Sequence, residues 1–258
     1  MTTKTVLITG ASSGIGLEFA HIFAQNKINL VLVARNHEKL KTLAEELEAK
    51  HKVNVSVLPF DLSNYQNAEA IFKWLEAQKI SIQYLINNAG FGELGSFADS
   101  KWARQEQMIN LNITALTYLT HLFLPAMRQA GYGRILNVAS TAAFQPGPGM
   151  AVYFATKSFV LHFSEAINAE LSGSGVTVTA LCPGATESGF ADAAKASESK
   201  LFKGRKLPSS REVAVYGYKA MMKGKAVAVH GLVNKSLIVG IRLMPRKLVV
   251  QVSKMIMS

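Results

Sequence analysis

The sequence contains a single cysteine, Cys182, among its 258 residues, which excludes an internal disulfide framework and points to a reducing compartment, the cytoplasm. Prolines number only 7 and charged residues make up 17% against 49% hydrophobic, so a disordered or fibrous chain is excluded. No stretch reaches 18 uninterrupted apolar residues, which argues against a spanning helix. The opening MTTKTVLITGASSGIG lacks a charged segment, an apolar run and a cleavage site in that order, and no signal peptide is expected. Internal repeats and low-complexity linkers are also missing, and the length suits one α/β domain over residues 1–258. Acidic residues stop at Glu212. Beyond it Lys219, Lys223, Lys225, Lys235, Arg242, Arg246, Lys247 and Lys254 account for +8 of the formal charge of +11. That basic region has neither a nucleic-acid-binding motif nor interleaved stacking aromatics, so no nucleic-acid partner is expected.

What is present is an alternation of short apolar runs with longer segments of helical period. KTVLIT precedes GIGLEFAHIFAQN, INLVLVA precedes NHEKLKTLAEELEAKH, and VNVSVLPF precedes SNYQNAEAIFKWLEAQ. IQYLINN, a helical pattern over about residues 100–129, GRILNVAS, a helix from Ala151 to Leu171 and VTVTALCP continue the series. Strands of nearly unbroken Val, Ile and Leu separated by amphipathic helices predict an α/β fold, a doubly wound parallel sheet with helices on both faces. Right-handed crossovers then gather the carboxyl ends of the strands on one edge, where ligands bind. Residues 190–212 include the small, polar and basic stretch ADAAKASESKLFKGRKLPSS and read as a substrate flap beside the sixth strand.

The turn TGASSGIG, residues 9–16, follows the first strand and opens the first helix. Gly10 allows a tight turn, Gly14 lets a pyrophosphate approach the backbone, and Gly16 permits close helix–sheet packing. Ser12, Ser13 and Ile15 stand beside them as cofactor contacts. Arg35 follows the second strand, 19 residues after Gly16, where a cation accepts a 2′-phosphate. Glu38, the nearest acid, suits the first turn of a helix instead, so NADP(H) is favoured and NAD(H) is the alternative. Asp61, with Leu62, reads equally as an adenine contact or as part of a helix cap with Ser63. Asn88, Ala89 and Gly90 close the fourth strand, where asparagine can lock loops and glycine can admit the cofactor ribose. No metal-ligand set is expected.

In AVYFATKSF, Tyr153 and Lys157 stand four residues apart, on one helix face. A fixed ammonium favours the phenolate and is expected to lower the tyrosine pKa, so the pair can pass a proton to or from a carbonyl oxygen. Ser140, at the end of the fifth strand, can supply a second hydroxyl to the same oxygen. Gly10-x-x-x-Gly14-x-Gly16, Asn87-Asn88-Ala89-Gly90, Asn112, Ser140, Tyr153-x-x-x-Lys157 and Pro183-Gly184 together resemble the classical short-chain dehydrogenases/reductases over about residues 4–190. The resemblance implies a Rossmann-like sheet of about seven strands, a nicotinamide dinucleotide, and a catalytic tetrad of Asn112, Ser140, Tyr153 and Lys157. It further implies that Lys157 binds the nicotinamide ribose, that Pro183, Gly184 and Ser188 flank the nicotinamide, and that the chain forms homodimers or homotetramers. Ser188 stands where the family has threonine. Cys182 reads as a small buried hydrophobe rather than a nucleophile.

Phe91, Leu94, Ala142, Phe144, Met150 and Phe190 are the residues expected to border the substrate, and their apolar character favours a hydrophobic ketone, aldehyde or secondary alcohol. The basic, apolar extension at residues 231–258 has the composition of an interfacial helix on anionic lipid, although Pro245 divides it and its amphipathic stripe is not clean. The competing expectation is a last strand, AVAV, followed by a helix that covers the core or a subunit partner. Outside catalysis, the alternatives are a nucleotide-binding regulator and a membrane-surface interaction protein.

Overall fold

The structure, a computed structural model, describes residues 4–194 and 207–257. Residues 195–206, most of the expected flap, lie outside the described residues.

Seven strands, β1 (Thr5–Thr9), β2 (Asn29–Val33), β3 (Val55–Leu58), β4 (Tyr84–Asn87), β5 (Gly133–Val138), β6 (Val176–Cys182) and β7 (Val227–Val229), form one sheet. Their order is β3-β2-β1-β4-β5-β6-β7 and every pairing is parallel. The expected doubly wound sheet is therefore present. Order reverses between β1 and β4, the point at which the loops after neighbouring strands part and leave a crevice.

Strand periodicity explains how both faces are filled. Val6 and Ile8 point to one side, where α1 (Gly14–Gln25), α2 (His37–His51) and α8 (Ser210–Met222) cover them with Phe19, Phe23, Leu40 and Met221. Leu7 points to the other side, against Ile71 of α3 (Asn67–Ala77) and Leu119 and Phe123 of α5 (Leu116–Gln129). Truncating a fully buried ring such as Phe23 to alanine costs about 3–5 kcal/mol, so these clusters fix the strand register on which the site depends.

The helical pattern over residues 100–129 is one continuous run with a local change of period: α4 (Trp102–Ile109), a π-helical segment Asn110–Ala115, and then α5. The wider segment carries the buried Asn112. A π-bulge of this kind re-aims side chains without ending the helix. A 3₁₀ turn at Thr141–Phe144 leads to α6 (Ala151–Glu170), and after β6 a short α7 (Phe190–Ala193) precedes the undescribed residues.

The C-terminal extension is two helices, α9 (Leu232–Leu243) and α10 (Arg246–Met257), with Pro245 between them. The expected last strand at AVAV is present as β7, and it is followed by two helices rather than one. Proline cannot continue α9, but its carbonyl accepts the amides of Leu248 and Val249 and so opens α10. The second helix folds back, and Ser253 Oγ donates to the Pro146 carbonyl at 2.7 Å.

Candidate active site

A cavity of about 470 Å³ crosses the carboxyl edge of the sheet, lined by residues that follow β1 to β6. Every lining loop leaves a strand at the same edge because all pairings are parallel.

At one end the turn after β1 is held open by glycines. Gly10 and Gly14 adopt positive φ of 65° and 55°, which side chains rarely tolerate. Gly16 does not line the cavity; a Cβ there would lie 2.5 Å from Asn88 Nδ2 and collide with the Gly10 carbonyl. Asn88 Nδ2 donates to the carbonyls of Thr9 at 3.0 Å and Gly10 at 3.2 Å, while the amides of Asn88 and Ala89 both donate to Thr9 Oγ1 at 3.0 Å. The loops after β1 and β4 are thus laced together beneath the cavity. Ser13 is the N-cap of α1 but its side chain makes no capping bond, and no acid occupies the first turn. The first amides of α1 can therefore face an anion, as Ser12, Ser13, Gly14 and Ile15 all line the cavity.

Arg35 is exposed and lines the same end. Its neighbour Asn36 caps α2 by accepting the Lys39 amide at 2.9 Å. Among the described residues Arg35 has no carboxylate within ion-pair distance. Asp61 and Leu62 also line the cavity. The Asp61 carboxylate accepts the Ser63 amide at 2.9 Å, a local turn six residues before α3, so it does not cap that helix. This donor set, glycine turn, open helix end and free guanidinium, fits a phosphorylated dinucleotide.

The other end is built by β5, the 3₁₀ turn and α6. Ser140 Oγ accepts the Ala142 amide at 3.1 Å, which holds the serine at the mouth of the turn. Tyr153 and Lys157 project from one face of α6 and are 9% and 6% exposed. Both line the cavity with Ser140. Lys157 Nζ donates to the Val138 carbonyl at 2.7 Å and lies 5.9 Å from the centre of the Tyr153 ring.

The electrostatics correct the expectation drawn from spacing. Burial pushes the Tyr153 phenol up to about 12, with the Ser140 hydroxyl pulling the other way, and Lys157 does not offset it. Burial also pulls Lys157 down to about 8. Removing both groups from water disfavours each charged form, and the ammonium is aimed at Val138 rather than at the phenolic oxygen. At neutral pH the pair is a protonated phenol beside an ammonium, a proton donor first and an acceptor second. Burial likewise pushes the Cys182 thiol up to about 12.

Asn112 stands behind the cavity wall rather than on it. Its Nδ2 donates to the Phe91 carbonyl and to Thr156 Oγ1, each at 3.0 Å, and its Oδ1 accepts the Phe91 amide at 3.2 Å. Thr156 Oγ1 in turn donates to the Tyr153 carbonyl at 2.7 Å. Asn112 thereby ties the loop after β4 to the turn of α6 that carries the tyrosine. A side chain on Gly90 would crowd it, since a Cβ would lie 3.0 Å from Asn112 Oδ1 and 3.5 Å from Lys157 Nζ.

Pro183, Gly184 and Ser188 line the cavity after β6. Of the expected substrate border, Phe91, Ala142, Met150 and Phe190 do so, but Leu94 and Phe144 do not. Leu94 packs behind Met150 in a cluster with Met108, and its amide is held by the Ala194 carbonyl. Phe144 turns toward Ala139, Val160 and Cys182. Sequence reading missed Arg104, Gln107, Gln145, Phe154, Ser253 and Ile256, all of which line the cavity. The spacings 104/107 and 253/256 place each pair on one helix face, which is a usable signal only once the helix is known to cross the site. Arg104 lies 3.8 Å above the Phe91 ring.

Comparison with known proteins agrees with this geometry. The sequence model of the short chain dehydrogenase family matches residues 4–199. A ketoacyl reductase of Nostoc sp. is 36% identical over 186 residues, 71% of this chain and 64% of that protein, so the chain spans less than two thirds of that relative's length. A sulfoacetaldehyde reductase of Chromohalobacter salexigens is 38% identical over 193 residues, 73% of this chain and 74% of that protein. Among solved structures, a short-chain dehydrogenase from Sphingobium yanoikuyae in complex with NADPH superposes with a TM-score of 0.83 at 36% identity, covering 93% of each chain. A bulky-bulky ketone specific alcohol dehydrogenase from Comamonas testosteroni gives a TM-score of 0.80 at 31% identity, covering 94% of this chain and 93% of that one. The matched span, the sheet order and the Tyr153–Lys157 pair at its carboxyl edge make the chain a member of the short-chain dehydrogenase/reductase family of oxidoreductases.

Proposed function

We propose that the chain is an NADP(H)-dependent carbonyl reductase of hydrophobic ketones or aldehydes that also runs in reverse on secondary alcohols. The observation that carries this reading is the placement of Tyr153, Lys157 and Ser140 in one cavity with the glycine turn and Arg35. The NADPH complex of the Sphingobium relative and the ketone specificity of the Comamonas relative support it.

In this reading Gly10 to Ile15 and the start of α1 hold the pyrophosphate, and Arg35 pairs with the 2′-phosphate. Asp61 and Leu62 border the adenine, Asn88 to Gly90 the ribose, and Pro183, Gly184 and Ser188 the nicotinamide. A nicotinamide, when bound, supplies or accepts the hydride at the substrate carbon. The protonated Tyr153 phenol donates to the carbonyl oxygen as charge develops there, and the Ser140 hydroxyl holds and stabilises that oxygen. The Lys157 ammonium, held beside the Tyr153 ring by the Val138 carbonyl, would bind a ribose hydroxyl of the cofactor. Asn112 acts through position, by fixing the Phe91 loop and the Tyr153 turn. Phe91, Ala142, Met150, Phe154 and Phe190 offer an apolar wall to the rest of the substrate.

The test is a panel of bulky apolar, small polar and phosphorylated carbonyls, followed by NADPH and NADH oxidation. Turnover confined to apolar carbonyls with NADPH is expected. Preference for a phosphorylated or strongly polar carbonyl would contradict the substrate class, and preference for NADH would contradict the role of Arg35.

A further inference from the structure

Helix α9 turns its apolar side chains away from the protein. Leu232, Val233, Leu237, Val239 and Leu243 are between 59% and 83% exposed, and helical spacing places them on one broad face. Of the residues of α9, only Ile238, on the opposite side, is buried. On α10, Val249 and Ser253 face inward, while Leu248 and Met255 are exposed. Both helices therefore expose apolar side chains that nothing in the described chain covers.

Charge selects the occupant. Lys235, Arg242, Arg246 and Lys247 are carried by these same helices, and the sequence has no acidic residue after Glu212 to answer them. A second copy meeting this face symmetrically would bring the same cations together with no carboxylate from either tail, which like-charge repulsion disfavours. An anionic phospholipid surface complements both features, since it accepts apolar side chains at the acyl boundary and cations at the headgroups. No helix among the described residues is long and apolar enough to cross a membrane, so contact is confined to the surface.

We propose that α9 and α10 dock on the surface of an anionic phospholipid bilayer. Ile256 is partly exposed and also lines the catalytic cavity, so docking sets the rim of the cavity beside the lipid. Entry of a lipid-dissolved carbonyl through that rim rests on the proposed reaction; docking itself does not.

The full chain should be sedimented with vesicles of phosphatidylglycerol and phosphatidylcholine, and with phosphatidylcholine alone, alongside light scattering of the free protein. Binding should favour the anionic vesicles more than tenfold and weaken as salt screens the cations. Leu237→Glu with Leu243→Glu should lower binding more than tenfold with an unchanged circular dichroism spectrum. Lys235→Gln and Arg242→Gln, which leave the apolar face intact, should each lower it about fivefold. Equal binding to neutral vesicles, no binding to either, or unchanged binding by the glutamine variants would overturn the proposal. So would a dimer that the glutamate pair splits while vesicle binding is absent, which would make the second copy the occupant.

Discussion

Replacing Lys157 with methionine should remove a pH dependence of stability that the wild type carries. The ammonium is 6% exposed and burial lowers its pKa from 10.5 to about 8. One pKa unit corresponds to about 1.4 kcal/mol, so holding this charge in the folded state costs about 3 kcal/mol below pH 8. The sign follows from proton affinity: the unfolded chain binds the proton more tightly, and the folded state gains stability as pH rises from about 8 to 10.5. Methionine has a similar length and no proton, so the gain is absent in the variant. Between pH 7 and pH 9 the stability of the wild type relative to the variant should therefore rise by about 1–2 kcal/mol. The variant also loses the charged hydrogen bond to the Val138 carbonyl, made at 2.7 Å, which is worth about 1.5–3 kcal/mol. That loss roughly offsets the relief, and at pH 7 the two proteins should lie within about 2 kcal/mol of each other. Parallel urea unfolding without nucleotide at the two pH values measures the difference. A difference that does not change with pH, or that moves against the wild type, would refute the account of a charge held in a dry site.

Two further substitutions test the cofactor end. Arg35→Ala should weaken NADPH about 10- to 100-fold, the range of a lost charge-assisted pair, and change NADH binding less than about threefold; equal losses by titration would reject the 2′-phosphate role. Gly16→Ala should lower the melting temperature by about 2–10 °C, because its methyl group has no room against the Gly10 carbonyl and Asn88; an unchanged melting curve would contradict the tight contact of the two loops.

The parts of this molecule that could be read from sequence are those whose signal is local. Strands from TVLIT to VTVTALC announce themselves by apolar runs, and the parallel order of the sheet follows from the helices between them. The shared face of Tyr153 and Lys157 is a matter of helical period alone. What depends on tertiary placement was not legible. The sequence does not say that α10 folds back to place Ser253 and Ile256 in the cavity, nor that Phe144 turns into the sheet layer. The direction of the Tyr153 pKa also escaped, because spacing reports the neighbouring cation while the buried environment decides the outcome. The break at Pro245 was legible, but which face of α9 turns outward was not, because that depends on Ile238 packing inward.

Turnover by Tyr153→Phe probes the proton-transfer assignment most directly. Phenylalanine keeps the ring contacts to Phe190 at 5.2 Å and Phe154 at 6.0 Å, so folding should be preserved and only the hydroxyl is lost. With a substrate found in the carbonyl panel, kcat should fall about 100- to 10,000-fold, the usual contribution of a positioned general acid, while the Kd for NADPH stays within about twofold. A variant that binds NADPH and reduces the carbonyl at the wild-type rate would contradict the role given to this tyrosine.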